Sequence, residues 1–365
     1  MLSKGLLSRR FFSSSRSNLE SLKIAFFGSD EFSIESLRKL VQISKEKPGV
    51  IDSIDLIARP PKATGRYLKE VTDVPIASYA TSENLAIHRA EKDDEINSLI
   101  SNKYNMAIAV SYGKLIPNQF LNSLKYSLNV HPSLLPKLSG ASPLQKALLN
   151  HDKTTGVTVQ TLSPDKFDKG AIVDQTDEIS IEKDDTYKSL RDRLAIIGAD
   201  LLGKVIIDGS YSNPTFKSKY KFSYTGKISP NMTKINWNNS SSFDIYRQFN
   251  TLGPLHTFKE IRVKAKKGMT RLGWRRVILY DVEQIKENLD SLKPGQFINK
   301  DSKVIIKTSD GAIAVKELQL ECEKREGADK FYASLKKKTG DTEKIFQDKP
   351  ENSQDTLIKT SELQV

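Results

Sequence analysis

The sequence contains one cysteine, Cys322, among its 365 residues. A single thiol excludes an internal disulfide framework and any zinc site made of several thiolates. Hydrophobic residues make up 38% of the chain, and no apolar run approaches the ~20 residues that cross a bilayer. No Walker-type glycine loop and no G-x-G-x-x-G pattern follows the first predicted strand, so nucleotide hydrolysis and NAD binding lack support. We therefore expect neither a thiol-rich metal domain nor an integral membrane protein.

Acidic residues are scarce in two segments of a chain whose net charge is +12. Residues 1–20 carry four Lys or Arg against one acid, and residues 211–280 carry fourteen against Asp244 and Glu260. The rest of the chain is close to neutral. The positive charge is therefore concentrated in these two segments.

The first basic segment combines Arg, Ser and apolar side chains, with no acid before Glu20. This composition is typical of a mitochondrial presequence that is removed after import. An ordinary disordered terminus is the alternative interpretation. We predict a presequence over residues 1–20 and a location in the mitochondrial matrix.

In the second basic segment, the cations interleave with aromatic residues, as in residues 217–222 and around Trp274. Clustered cations release counterions when they neutralise phosphates, and aromatic rings can stack on bases. We therefore predict a nucleic-acid partner for residues 211–280. A solvated charged face is the alternative.

Short apolar runs alternate with amphipathic stretches over residues 21–207. Four of the runs read as strands: 23–27, 51–58, 106–113 and 127–130. Strands separated by helical segments build a parallel sheet, so we predict an α/β domain that ends near Ile207.

The composition changes after Ile207. Residues 208–232 are rich in Ser, Gly, Pro and Lys and have no sustained period, which is typical of a linker. Several short apolar runs between turns follow, and they predict a small β-barrel or sandwich over residues 233–340. Residues 341–365 have little apolar content and are predicted to form a flexible tail.

Candidate chemistry lies at the end of one predicted strand. Asn129 and His131 flank one strand residue and therefore point to the same side, where α/β sheets expose ligand-binding crevices. Asp168 lies in a later loop, two residues before Gly170. An amide and an imidazole can hold a tetrahedral oxyanion while a carboxylate orients the imidazole, which suits acyl-type transfer. From spacing alone, a structural role for His131 remains open.

These motifs resemble those of the folate-dependent formyltransferases. The resemblance rests on NVHPSLLPK followed by FDKG, and it extends upstream to FFGSDEF and VSYGKLIP. The basic C-terminal region is placed as in the members of this family that act on methionyl-tRNA. The resemblance implies a Rossmann-like α/β catalytic domain with a mainly parallel sheet, a small OB-like C-terminal β-barrel, and a monomeric enzyme.

The resemblance also implies a reaction. The formyl group of 10-formyltetrahydrofolate would pass directly to the α-amine of methionyl initiator tRNA, through a tetrahedral intermediate and without a metal. Asn129 would hold the formyl oxygen, His131 would donate to the same oxygen, and Asp168 would set the charge of His131 and accept the amine's proton through water. Four residues match the stretch that lines the tetrahydrofolate pocket: Ser133, Leu134, Leu135 and Pro136.

Five cations are predicted to contact the tRNA: Lys62, Arg66, Lys264, Lys266 and Lys267. Residues 59–69 resemble a basic loop that reaches toward the acceptor stem, although a solvated loop is the alternative. Lys62 stands where the family usually has Arg, and a lysine cannot make the bidentate contact with phosphate. Leu138 and Ser139 replace an aromatic residue and an Arg, which puts contacts at that rim of the site in doubt.

Two alternatives remain at this stage. One is a folate-dependent formyltransferase with a small-molecule amine acceptor, because the catalytic trio does not identify the acceptor. The other is a tRNA-binding protein with an inactive formyltransferase domain, which the intact trio disfavours. The remaining histidines, His88, His151 and His256, have no partner at metal-ligand spacing and are predicted to be structural.

Overall fold

The computed structural model describes residues 20–64, 70–264, 270–339, 343–349 and 356–358. Residues 1–19 of the predicted presequence lie outside these ranges, as do Arg66, Lys266 and Lys267. The chain divides into two units. The first comprises Met1–Pro143, Thr154–Ser180 and Arg191–Thr225, and the second comprises Leu144–Lys153, Ile181–Leu190 and Gly226–Val365.

The first unit is built on a seven-stranded sheet with the strand order β11-β10-β7-β6-β1-β2-β5. The strands of the first unit are β1 (Leu22–Gly28), β2 (Ile51–Ala58), β3 (Lys62–Thr64), β4 (Glu70–Thr72), β5 (Ala86–Arg89), β6 (Met106–Val110), β7 (Tyr126–His131), β8 (Ser139–Gly140), β9 (Thr154–Thr155), β10 (Thr158–Gln160), β11 (Ile172–Gln175), β12 (Ile179–Ser180) and β13 (Tyr224–Thr225). Strands β5, β2, β1, β6 and β7 are parallel, whereas β10 runs antiparallel to β7 and β11 antiparallel to β10. The mainly parallel sheet confirms the predicted α/β class.

The apolar runs form the central strands because both faces of a parallel sheet are covered. All five residues of β6 are buried, as are the last five of β1. The helices of this part of the chain are α1 (Glu31–Glu46), α2 (Pro75–Ser82), α3 (Asp93–Ser98), α4 (Asn118–Asn122), α5 (Pro143–Leu149) and α6 (Tyr187–Asp208). Asp30 is the N-cap of helix α1, and its side chain accepts a hydrogen bond from Ser33 N at 3.1 Å.

The second unit contains a curled antiparallel sheet with the strand order β14-β15-β18-β17-β16. Its elements are α7 (Ser242–Leu252), β14 (Leu255–Lys264), β15 (Thr270–Ile285), β16 (Phe297–Lys300), β17 (Lys303–Lys307), β18 (Ala312–Leu320), β19 (Arg325–Gly327), α8 (Ala328–Thr339) and β20 (Thr356–Ile358). Apolar side chains from the sheet and both helices form one core, with Ile245, Val277, Leu318 and Phe331 at or below 2% exposure. The architecture is consistent with the predicted OB-like barrel.

A short segment near the C-terminus joins the two edges of this curled sheet. Gln347 exchanges backbone hydrogen bonds with Phe258 beside one edge, and Phe297 N donates to Lys344 O at 3.0 Å at the other. Phe346 is fully buried, and its ring stacks on Phe297 with a centroid distance of 4.3 Å. The sequence predicted a flexible tail from residue 341. The described part of that tail instead closes the sheet, because Phe346 supplies an apolar side chain that the core accommodates.

Among the described residues, the helices are all too short or too polar to span a membrane.

Candidate active site

The site is built around the carboxyl end of β7. Asn129 pairs with Ala109 of the parallel strand β6 on one side and with Gln160 of the antiparallel strand β10 on the other. His131 lies two residues further, opposite Thr158. Side chains two apart on a strand project from the same face, so Asn129 and His131 point to the same side, as the spacing predicted.

Asp168 reaches these two side chains from the loop between β10 and β11. Its backbone adopts a φ of 54°, in the left-handed region that non-glycine residues rarely occupy. Asp168 Oδ1 lies 3.3 Å from His131 Nδ1 and accepts a hydrogen bond of 3.4 Å from Asn129 Nδ2. The side chains of His131 and Asp168 are each 7% exposed. The structure thus brings together the three residues that the sequence had singled out.

Two further donors converge on the same carboxylate. Gln160 Nε2 donates to Asp168 Oδ1 at 3.2 Å, and the Gly140 backbone N–H donates to Asp168 Oδ2 at 2.7 Å. Gln160 is only 1% exposed. Sequence reasoning missed both residues. Neither residue had a clear local signal in the sequence, because β10 carries the polar Thr158 as well as Gln160 and nothing near Gly140 indicated its partner.

The other ring nitrogen of His131 also faces an acceptor. His131 Nε2 lies 3.1 Å from the backbone carbonyl oxygen of Leu138, which has a φ of 55°. Because a carbonyl oxygen can only accept, Nε2 carries a hydrogen in this contact. The ring of His131 thus lies between the Leu138 carbonyl oxygen on one side and the Asp168 carboxylate on the other. The resemblance had not predicted the bond to Leu138.

The four residues predicted to line the folate pocket form one turn directly after His131: Ser133, Leu134, Leu135 and Pro136. Ser133 and Leu135 are each 1% exposed. The Thr158 hydroxyl donates to Ser133 O at 2.7 Å and accepts from Leu135 N at 3.0 Å. These contacts fix the turn against β10. Its contact with folate stays a prediction.

A strap formed by Ser223–Thr225 holds the loop that follows this turn. Leu138 N donates to Ser223 Oγ at 2.8 Å, Ser139 N donates to Ser223 O at 2.9 Å, and Ala141 N donates to Thr225 O at 2.9 Å. A Cβ at Gly140 would lie far inside contact distance of Thr225 O. The strap falls within the predicted linker, yet the described residues up to Thr225 belong to the first unit.

Of the five predicted tRNA contacts, the structure describes only the side chain of Lys62, so these contacts stay predictions. Lys62 lies on β3, and its Nζ forms an ion pair of 2.6 Å with Glu91 Oε1. Lys264 ends β14, but its side chain lies outside the described residues. Arg66, Lys266 and Lys267 lie outside them entirely.

Two cations of the basic segment 211–280 are buried. Lys259 is 2% exposed and Arg247 is 7% exposed. Burial in the protein interior lowers the pKa of Lys259 to about 8. The charge that this segment offers to a polyanion is therefore smaller than its sequence suggested.

The remaining histidines lie outside this site. His88 Nε2 is 3.1 Å from Asp55 Oδ2, and His151 Nε2 is 3.1 Å from Asp244 Oδ1. Within the ranges that the structure describes, no three His, Cys, Asp or Glu side chains are grouped so that they could hold a metal ion.

Comparison with protein families gives two matches along the chain. A family model described as formyl transferase matches residues 22–206, and one described as formyl transferase, C-terminal domain, matches residues 227–336. Together the matches cover both units.

Individual proteins of known description are also similar. The chain is 34% identical to the mitochondrial methionyl-tRNA formyltransferase of Saccharomyces cerevisiae, with 88% of this chain and 91% of that protein covered. It is 31% identical to the methionyl-tRNA formyltransferase of Coprothermobacter proteolyticus, with 87% and 99% covered. Among solved structures, an N-formyltransferase from Helicobacter canadensis, in complex with folinic acid and dTDP-3-aminofucose, superposes with a TM-score of 0.52. That structure is 19% identical, covers 80% of this chain and 98% of its own, and supports the fold alone.

Proposed function

The chain belongs to the formyl transferase family, and we propose that it transfers the formyl group of 10-formyltetrahydrofolate to the α-amine of methionyl initiator tRNA in the mitochondrial matrix. The observation that carries this proposal is the carboxylate of Asp168, on which Asn129, His131 and Gln160 converge. Relatives that act on methionyl-tRNA cover both units of this chain, which favours a tRNA acceptor over a small amine.

The donor set fits formyl transfer. The reaction needs a base for the amine's proton and donors for the oxygen that becomes negative when the amine attacks the formyl carbon. Asp168 is the carboxylate in the site, and a primary amide such as Asn129 Nδ2 carries two hydrogens. One of them makes the 3.4 Å bond to Asp168, which leaves the other for an oxyanion.

We assign the proton transfer to Asp168. Its carboxylate is held by donors on both oxygens, so its position is fixed before the substrate arrives. It would accept the proton of the attacking α-amine through water and return a proton to the nitrogen that leaves as tetrahydrofolate. The C–N bond to the amine forms first and gives a tetrahedral oxyanion, and the collapse of this oxyanion breaks the C–N bond to the folate, so the transfer needs no redox partner.

We assign the oxyanion to Asn129 and His131. Amide and imidazole N–H groups beside the formyl oxygen are donors to the developing oxyanion, and preorganised donors of this kind account for a large part of the rate in acyl transfer. His131 Nε2 is bonded to Leu138 O, so a direct bond to the formyl oxygen would require this hydrogen to change partners. Without such a change, Asn129 supplies the hydrogen bond to the oxyanion while His131 positions Asp168.

The experiment is a formylation assay with the chain lacking residues 1–20. Labelled 10-formyltetrahydrofolate is supplied with methionyl initiator tRNA, methionyl elongator tRNA, or a small amine sugar nucleotide, at two salt concentrations. Transfer to the initiator tRNA supports the proposal, and transfer to the sugar nucleotide alone contradicts it.

Charge reversal tests the proposed contact between the basic segment and tRNA. Lys264→Glu, Lys266→Glu and Lys267→Glu should each reduce the salt dependence of tRNA affinity, because each removes one phosphate contact. Lys330→Glu is the matched control, since Lys330 is 77% exposed and lies on α8 outside the segment. An equal effect of all four variants would reject a local contact.

A further inference from the structure

Two large aromatic side chains lie on either side of Ser223, the first residue of the strap, and remain exposed. Phe222 is 56% exposed and Tyr224 is 69% exposed. One exposed hydrophobic residue needs no explanation, but two within three residues beside an active site form a patch. We call Phe222 and Tyr224 the aromatic ledge.

The contacts of the strap fix the position of the ledge. Ser223 Oγ accepts from Leu138 N, which anchors the residue between the two rings to the active-site loop. Tyr224 Cε2 lies 2.9 Å from the position that a Cβ on Gly140 would take, so the Tyr224 ring lies beside the glycine whose N–H bonds Asp168.

Two connections join the ledge to the catalytic carboxylate. Tyr224 pairs with Ser139 and the next residue, Thr225, pairs with Gly140, whose N–H bonds Asp168. The ammonium of Lys169, the residue directly after Asp168, lies 3.8 Å from the ring centroid of Phe222. The ledge is thus connected both to Gly140 and to the residue that follows Asp168.

The charge around the ledge is positive. Lys217 and Lys221 are exposed in the same stretch, and Lys169 lies over the Phe222 ring. Aromatic faces beside exposed cations suit single-stranded RNA, because bases stack on the rings while the phosphates contact the cations. The amino acid of a charged tRNA is carried at such an unpaired 3′ end.

We propose that Phe222 and Tyr224 stack the unpaired 3′-terminal bases of the RNA acceptor and so guide the attached amine to Asp168. This proposal rests on the proposed function, since it names the part of the tRNA that the first unit recognises. A free nucleotide offers the same base chemistry and is the competing source of the ligand.

The experiment uses the full chain and initiator tRNA whose terminal adenine is replaced by the fluorescent base 2-aminopurine. Stacking on the ledge should quench the fluorescence, and Phe222→Ala or Tyr224→Ala should remove the quenching. Each variant should also raise KM for methionyl-tRNA about tenfold, within the range for the loss of one base–aromatic stack. Phe222→Trp and Tyr224→Phe should restore both values, because they keep an aromatic face.

Phe216→Ala is the matched control, since Phe216 is 40% exposed on the same unit but neither belongs to the ledge nor adjoins the strap. It should change neither KM nor quenching, and tetrahydrofolate affinity should be kept in every variant as a test of folding. Unchanged KM and quenching in both alanine variants of the ledge would overturn the proposal. If free AMP bound with the same dependence on Phe222 and Tyr224, the ligand of the ledge would be a free nucleotide and the RNA proposal would be wrong.

The two proposals fail in different ways. If the wild-type chain formylates no tRNA but quenches 2-aminopurine through the ledge, the proposed function is wrong, whereas base stacking on the ledge is supported. If it formylates tRNA without quenching, base stacking on the ledge is wrong, whereas the proposed function is supported.

Discussion

The backbone N–H of Gly140 donates to Asp168 Oδ2 at 2.7 Å. Gly140 also lies against Thr225 of the strap, with no room for a Cβ. The position of the Asp168 carboxylate, to which we assign the proton transfer, therefore depends on a glycine that lies in close contact with the strap. A segment that reads as a linker in sequence thereby supports the proposed active site.

Gly140→Ala should disrupt the strap and lower the turnover. Gly140 has a φ of 120°, and its new Cβ would overlap Thr225 O, so the backbone must shift. Gly49→Ala is the matched control, because Gly49 also has a positive φ, 85°, but nothing lies within 4 Å of its Cβ position. In the control, thermal unfolding should show a loss of about 1 kcal/mol in the free energy of unfolding, which is the cost of the backbone conformation alone. The formylation rate of the control should stay normal. Equal behaviour of the two variants would show that the close contact is unimportant.

Asn129→Ala should lower kcat by about 10²–10³-fold, the usual effect of removing one oxyanion donor. The affinity for tetrahydrofolate should change little, since the amide acts in the transition state. Single-turnover kinetics with equilibrium folate binding separate the two quantities. Near-normal turnover would remove Asn129 from the catalytic set.

Gln160→Glu should move the acidic limb of the pH–rate profile to higher pH. Gln160 Nε2 lies 3.2 Å from Asp168 Oδ1, so the variant brings two carboxylates together. Like charges at this distance raise the pKa of one carboxyl group. Because the mechanism needs ionised Asp168, activity at low pH should fall first. Gln160→Met, which adds no charge, should lower turnover but displace the acidic limb less. Identical pH–rate profiles for the wild type and both variants would contradict a role for Gln160 beside Asp168.

Lys259 should make stability depend on pH. Burial lowers its pKa from 10.5 to about 8, so between these values the unfolded chain binds more protons than the folded one. The free energy of unfolding of the wild type should therefore rise with pH through this window, by roughly 3 kcal/mol in total relative to Lys259→Met. Urea denaturation of both proteins at several pH values measures the difference. If the free energy of unfolding of the two proteins depended on pH in the same way, folding would not lower the pKa of Lys259.

Phe346→Ala should destabilise the second unit by about 3–5 kcal/mol, the cost of deleting a fully buried aromatic ring. Phe346 has no exposed surface and stacks on Phe297. Phe216→Ala, at an exposed aromatic residue, should change the free energy of unfolding by less than about 1 kcal/mol. If the segment were a flexible tail, as the sequence predicted, Phe346→Ala would lower the free energy of unfolding no more than Phe216→Ala does.

Local patterns predicted the parts of the fold that local chemistry determines. The apolar runs 23–27 and 51–58 became β1 and β2, because buried parallel strands need continuous apolar residues. Asn129 and His131 project together because alternate residues of a strand must do so. Asp168 was grouped with them because a carboxylate completes an amide and an imidazole for acyl-type transfer, and the family resemblance strengthened that assignment.

Long-range contacts account for what the sequence did not predict. Gln160 reaches Asp168 only because β10 lies antiparallel beside β7, and neither strand encodes its neighbour. The strap reaches Leu138 across 85 residues of chain. Phe346 was assigned to a flexible tail because one aromatic residue in a polar stretch gives no periodic signal.

The central claim is that Asp168 moves the proton during formyl transfer to methionyl-tRNA. The most direct measurement is the single-turnover rate of Asp168→Asn against the wild type, with 10-formyltetrahydrofolate and methionyl initiator tRNA at saturating concentrations. The amide is nearly the same size but cannot accept the amine's proton, so the account predicts a loss of at least about 10²-fold, the lower end of general base catalysis, with tetrahydrofolate still bound. A rate within about tenfold of the wild type would contradict it.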